Sequence, residues 1–214
     1  MPYTKEHKTR SKERILKSAT ELFCRYGFDK VSINQIMKLA RMTHGAFYAH
    51  FESKEALYDA TIGEIFRRCR PARLAKGPLS VKHLTTLVTD YLNLRELERK
   101  NAPGPEAILF NEIASDNPQI KRAYEKAYLN LRKLLETRIT ALGRLRRLPF
   151  TPDAETVAEK SRAILASLVG AVAIARSLPQ EEEQRQVLTA AQKHIFAMLG
   201  VDEPRSDDWH GQTG

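Results

Sequence analysis

The sequence predicts an all-α protein in two parts, a small N-terminal head of three helices and a larger helical body. Three observations carry that prediction. Apolar residues recur at spacings of three and four throughout the 214 residues, and no segment alternates convincingly with period two. Helix-starting and helix-ending residues punctuate the chain at intervals suited to short and medium helices. The charge is also unevenly divided. Residues 1–54 hold 11 basic and 5 acidic side chains, leaving 24 and 21 to the other 160 residues, so a quarter of the chain carries +6 of the formal +9.

Each element follows from local chemistry. Arg10 to Tyr26 places Ile15, Ala19, Leu22, Phe23 and Tyr26 on one face, and Gly27 supplies a left-handed stop. Ser32 with Gln35 three positions on forms a capping box, opening a short helix that carries Ile33, Ile36 and Met37. A second short helix opens at Thr43 as N-cap and runs to about His50. Ser53 caps a longer stretch whose apolar face is Ala56, Leu57, Ala60, Ile65 and Phe66, ending near Arg70 before Pro71. Residues 71–78 read as a linker. Beyond it, Ser80 opens a helix that fades into the charged run RELERK, and a short piece spans Ile108 to Ala114. Asn117-Pro118 opens a long amphipathic helix to about Arg146. Thr151-Pro152 repeats that signal ahead of a small-residue-rich helix ending near Leu178. The last helix runs from about Glu181 to Leu199, stopped by Gly200. The predicted division is a head over 1–54 with a connecting helix over 53–70, a body over 71–200 and a flexible tail over 201–214.

Composition excludes several classes. Apolar residues at 42% and charged residues at 29% are ordinary for a globular chain. Cys24 and Cys69 form neither a metal-type spacing nor a disulfide framework, which points to a reducing cytosol and a cytoplasmic location. The longest nearly apolar run, Ala163 to Ala175, has 13 residues, against the ~20 needed to span a bilayer, so no membrane role is expected. No phosphate-binding glycine loop, nucleophile elbow or paired-carboxylate site is present, so the chain reads as no enzyme, with no catalytic residues and no cofactor. Its six histidines have no metal-ligand spacing, and no metal is expected.

Two short helices joined by a tight turn inside a basic head make a helix-turn-helix candidate. Charge alone fits a solvated basic face as well as a polyanion-binding one. In the second helix, Met42, Phe47 and Phe51 serve as the inner face, leaving Thr43, His44, Ala46, Tyr48 and His50 outside. His44 can donate to guanine N7 or O6, and the Thr43 and Tyr48 hydroxyls suit phosphate oxygens. Gly45 and Ala46 are small enough for close approach to a groove. Lys54 adds a charge at a helix N-terminus. His50 reads equally as a histidine that favours a helix C-terminus.

The stretch RILKSATELFCRYGFDKVSINQIMKLARMTHGAFYAHFESKEALYDATI, from Arg14, closely resembles the DNA-binding head of the tetracycline-repressor (TetR) family. The most specific pieces are THGAFYAHF at 43–51 and SKEAL at 53–57, supported by AxxLFxxYGF from Ala19 to Phe28. The resemblance implies phosphate contacts at Thr43, Tyr48 and Lys54, and base approach at Asn34, His44 and Ala46, with Ser32 beside them. One position departs from the family pattern. Arg41 stands where the turn usually holds glycine, and we expect it to carry the strain of a left-handed residue while reaching a phosphate.

For the body, the resemblance implies dimerisation and ligand sensing. The helix around Ala158 to Ala175 is apolar nearly all round, as in a fully buried helix. Pairing it and Val187–Leu199 with their copies puts Leu165, Leu168, Val169, Val172, Leu188 and Ile195 at a homodimer interface, although a buried intrachain helix gives the same pattern. Tyr91, Phe110, Tyr124 and Tyr128 are candidates to line a pocket for a small, largely apolar or aromatic effector. The whole then reads as a ligand-responsive repressor that binds a palindromic duplex-DNA operator as a dimer. The alternative is a helical protein-interaction module without specific DNA binding.

Overall fold

The computed structural model describes residues 5–68, 77–94, 97, 111–113 and 115–202. Helices alone make up its regular structure, and no strand occurs among the described residues. In order they are α1 (Lys5–Tyr26), α2 (Ile33–Leu39), α3 (Gly45–Tyr48), α4 (Lys54–Arg68), α5 (Val81–Tyr91), α6 (Pro118–Arg144), α7 (Ala154–Ser177) and α8 (Glu181–Leu199). They fall into two compact units. One comprises Met1–Arg68 and Ala102–Tyr128, the other Cys69–Asn101 and Leu129–Gly214.

The first unit packs α1 against α2 and α4 around Ile15, Phe23, Ile36, Met37, Phe47 and Leu57, all nearly or fully buried. Three aromatic rings close its base. Tyr58 meets Phe23 and Phe28 edge-on, each with centroids 5.0 Å apart. Residues far along the chain finish this unit. The Asn111 amide donates to the Cys24 carbonyl at 2.6 Å, and Glu112 Oε1 accepts the Phe28 N–H at 2.6 Å. Phe66 meets Tyr124 of α6 edge-on at 5.6 Å.

The second unit is built on the pair α7 and α8, with α5 against α8. Ile164, Leu165, Leu168 and Val172 of α7 are buried, as are Leu188, Ile195, Phe196 and Leu199 of α8. Lys160 Nζ donates to the Met198 carbonyl at 2.5 Å, and Gln192 reaches the Leu92 carbonyl at 2.5 Å. No helix among the described residues is long and apolar enough to cross a membrane.

Most boundaries follow the local signals. Ser32, Ser53 and Ser80 accept the backbone N–H three residues on, and Asn117 Oδ1 accepts that of Gln119 at 2.9 Å. Gly27 and Gly200 stop α1 and α8 with φ of 79° and 62°. Five details differ from the sequence reading. α1 starts at Lys5 rather than Arg10, because buried Ser11 and Ile15 seat its early turns. Tyr26 at the end of α1 is 48% exposed, and Ala56 of α4 is exposed too, so neither belongs to the inner face. α3 is a single turn, Gly45–Tyr48, whose N-cap is His44 rather than Thr43 and has no side-chain cap bond. α7 starts after Asp153, whose carboxylate accepts the Thr156 N–H at 2.8 Å, instead of after Thr151. Pro152 is occupied against Gly143, where a Cβ would stand 2.6 Å from the proline Cβ. Finally, α7 is not buried all round in the single chain. Arg162, Ala166 and Ile174 are exposed. The linker over 71–76, most of the run RELERK, both ends of the Ile108–Ala114 piece (108–110 and 114), Cys69 and the tail from 203 lie outside the described residues.

Candidate nucleic-acid interface

Two caps fix the helix-turn-helix. At the start of α2, Ser32 and Gln35 bond reciprocally: the Ser32 N–H donates to Gln35 Oε1 at 2.7 Å, and the Gln35 N–H to Ser32 Oγ at 3.3 Å. At its end, the Arg41 N–H donates to the Lys38 carbonyl at 3.1 Å and the Met42 N–H to the Met37 carbonyl at 2.9 Å. That pair of bonds is a Schellman ending, which requires a left-handed residue at the position Arg41 fills. Arg41 has φ of 52°. The strained turn expected from the sequence is therefore present, held from outside by Arg14, whose guanidinium donates to the carbonyls of Ala40 and Arg41.

Holding the turn this way points α3 outward. Phe47 is fully buried and Phe51 nearly so, while Met42 is half-buried. Thr43, His44, Gly45 and Tyr48 are exposed, with Ala46 and His50 partly so. The His44 ring lies edge-on to Tyr48 with centroids 5.6 Å apart. Nothing lies within 4 Å of a Cβ built on Gly45, so that face is open.

The α2 start, His44 and the α4 start share one concavity of about 400 Å³, lined by Asp29, Lys30, Val31, Ser32, Ile33, Asn34, His44 and Lys54. Four residues singled out in the sequence, Ser32, Asn34, His44 and Lys54, thus come together. Ser32 is largely committed to its cap, whereas Asn34 and His44 are exposed. Lys54 Nζ rests 4.1 Å from the Phe28 ring centroid. Burial lowers its pKa, and the carboxylates of Asp29, Glu55 and Glu112 pull it back up. Burial, reinforced by the negative charge of Glu112, raises the Tyr58 phenol well above its ordinary range.

A second cleft of about 320 Å³ in the same unit lies between α4 and the start of α6. Phe28, Tyr58, Ile120 and Ala123 line its apolar part, and the Lys126–Asp59 pair at 3.7 Å lies at its charged edge. Of the candidate effector residues, Tyr91, Tyr124 and Tyr128 line neither cleft. Tyr91 is buried in the second unit; Tyr124 and Tyr128 belong to the first; Phe110 lies outside the described residues. Of the six candidate dimer residues, Leu165, Leu168, Val172, Leu188 and Ile195 fill the chain's own core, and Val169 is half-buried. Periodicity marks a face as apolar without saying which surface covers it. No group of His, Cys, Asp or Glu that could hold a metal ion occurs among the described residues.

Sequence reasoning missed the early turns of α1 as neighbours of α3. Lys12 Nζ stands 5.6 Å from the Phe51 ring centroid, and Lys8 and Lys12 both act electrostatically on His50. Their spacing of four on the face that continues to Ser11 and Ile15 is the signal that could have found them.

Comparison with known proteins adds the following. Residues 15–61 match the family described as bacterial regulatory proteins, tetR family. The A-factor receptor protein of Streptomyces griseus is 40% identical over 50 residues, 23% of this chain but only 18% of that protein. The HTH-type transcriptional regulator UidR of Escherichia coli K12 is 28% identical over 192 residues, 89% of this chain and 91% of UidR. In fold, the reduced form of Escherichia coli NemR superposes with a TM-score of 0.73 over 91% of this chain and 99% of NemR, at 18% identity. FadR of Bacillus subtilis in complex with stearoyl-CoA superposes at 0.66 over 87% of this chain and 97% of FadR, at 13% identity.

Proposed function

The chain belongs, through residues 15–61, to the tetR family of bacterial regulatory proteins, and from that premise we propose that it is a dimeric, cytoplasmic transcriptional repressor released from its operator by a small effector. One observation carries the DNA-binding part. Asn34, His44 and Lys54 share one concavity beside exposed Thr43 and Tyr48, on helices whose inner faces are fixed by Ile36, Met37 and Phe47. Asn34 and His44 read base edges; Thr43, Tyr48, Arg41 and Lys54 hold phosphates. Bringing Lys54 to a phosphate exchanges its perch on Phe28 for a charged partner.

The exposed side of the α7–α8 pair supports the dimer. Ala166, Val169, Gly170 and Ile174 of α7, with Ala190 and His194 of α8, leave a largely small and apolar strip on the outside. A Cβ on Gly170 would meet nothing within 4 Å, so a second helix has room to approach. The interface then consists of this strip, with Leu165, Leu168, Val172, Leu188 and Ile195 as the packing beneath it. Two heads one helical turn apart, ~34–36 Å, would read a palindrome. Effector sensing belongs to the body beyond residue 70, and a similar fold in complex with stearoyl-CoA supports an apolar effector.

Selection of bound duplexes from a random pool tests the reading. A palindrome with half-sites about one helical turn apart is the expected result; recovery of no sequence preference at all would overturn the regulator and leave a helical interaction module.

A further inference from the structure

The early turns of α1 bring charge to the end of α3 that no family match covers, since the matched region begins at residue 15. Buried Ser11 and Ile15 anchor these turns on the head. Arg10 pairs with Glu6 at 3.3 Å, so its charge is compensated locally. Lys8 and Lys12, one helical turn apart, are both exposed, and neither has such a partner among the described residues. They converge on the last residues of the α3 segment. Lys12 lies 5.6 Å from the Phe51 centroid, and the charges acting on the neighbouring His50 ring are these two ammonium groups. His50 Nδ1 is buried without a hydrogen-bond partner. Lys8 and Lys12 of α1 thus direct their positive charge at His50, in the turn that follows α3.

Such an arrangement is unfavourable alone and favourable around a doubly coordinating oxyanion. We infer that Lys8, Lys12 and His50 form one seat for a DNA backbone phosphate, and that seating the phosphate takes up a proton at His50. The inference rests on the DNA-binding reading above, with duplex DNA as the source of the phosphate. In the free protein, burial and then Lys8 and Lys12 lower the His50 pKa from its ordinary value, which disfavours the charged ring. The single negative charge of a phosphodiester beside it offsets part of the lysines' field and attracts the imidazolium, which raises the bound-state pKa. The proton comes from solvent, one per head. Affinity must therefore rise as pH falls through the window between the free and bound values, with a slope of at most one decade per pH unit per head.

The test uses the 214-residue chain and a mixed-sequence duplex, with pH varied at fixed salt and salt varied at fixed pH, and does not depend on knowing the operator. Calorimetry in two buffers of different ionisation enthalpy counts the protons, and a salt series counts the phosphate contacts. Wild type should take up protons near neutral pH and bind about 3–10-fold more tightly at pH 6 than at pH 8. His50→Gln should abolish the uptake, whereas His44→Gln should keep it. His50→Arg should bind at pH 8 as wild type does at pH 6. Lys8→Gln/Lys12→Gln should flatten the salt dependence by about one contact per head and shrink the proton uptake. Thermal melts confirm that each variant folds. Proton uptake that persists in His50→Gln, or a salt slope unchanged in the double lysine variant, overturns the seat while DNA binding stands. Wild type that binds no duplex at either pH overturns the DNA reading and the seat with it.

Discussion

At four helix ends the described chain passes through a left-handed residue, twice on glycine and twice on arginine. Arg41 and Arg146 have φ of 52° and 53°, and both complete the same pattern of bonds. The Arg146 N–H donates to the Gly143 carbonyl and the Arg147 N–H to the Leu142 carbonyl, each at 2.9 Å. A non-glycine side chain there costs roughly 1–2 kcal/mol, against the ~0.5–1 kcal/mol that glycine's extra freedom costs in the unfolded chain. Arg146→Gly should therefore raise stability by about 0.5–1 kcal/mol, read as a higher melting temperature. Arg41→Gly should gain as much and yet bind DNA more weakly, with a salt slope lower by about one contact. Binding as tight as wild type with the same slope would show that Arg41 touches no phosphate. Two further residues separate reading from holding. His44→Ala should cost about 1–3 kcal/mol of discrimination at one base pair, whereas Lys54→Ala should weaken binding to all sequences alike. Parallel specificity profiles across a library of duplexes check the pair, and exchanged phenotypes would reverse the two roles.

At the scale of the element, caps were the most legible feature, because a cap is a contact between residues two or three positions apart. Ser32 with Gln35, Ser53, Ser80 and Asn117-Pro118 all stand where local chemistry puts them. Ser53→Ala should cost about 1 kcal/mol, visible in a denaturant titration. Where two caps compete, tertiary packing decides. Thr151-Pro152 lost to Asp153 because Pro152 lies against Gly143. The Thr156 N–H stabilises the charged Asp153 carboxylate and lowers its pKa. Its contribution is therefore present above the ordinary carboxylate range and lost as pH falls through the lowered value. Asp153→Asn should flatten that part of the acid limb in a pH-stability curve. The start of α1 was less legible than its end, since Gly27 marks the end while only the burial of Ser11 marks the beginning. The exposure of Tyr26 was hidden for a related reason: helical spacing gives a face, and the neighbouring chain decides how wide that face is.

For the whole molecule, the basic excess of residues 1–54 was legible in the sequence, and which apolar residues the chain leaves uncovered was not. Charge is a sum over residues, so sequence suffices for it. An interface depends on which apolar residues a chain leaves uncovered, and five of the six candidates are covered by their own chain. Gly170→Glu tests the strip that remains. Replacing glycine within a helix should cost the folded monomer nothing, while a carboxylate facing its own copy should dissociate the dimer. Sedimentation velocity at micromolar concentration should show a monomer, and an intact dimer would remove this face of α7 from the interface. The two bonds that Asn111 and Glu112 make to the end of α1 and to Phe28 join residues 87 and 84 positions apart. During synthesis at ~5–20 residues per second, Cys24 and Phe28 must therefore wait roughly 4–17 s for these two partners. For that interval the nascent reader exists without the clasp that finishes it, a period when a ribosome-borne head is structurally younger than the protein it will become.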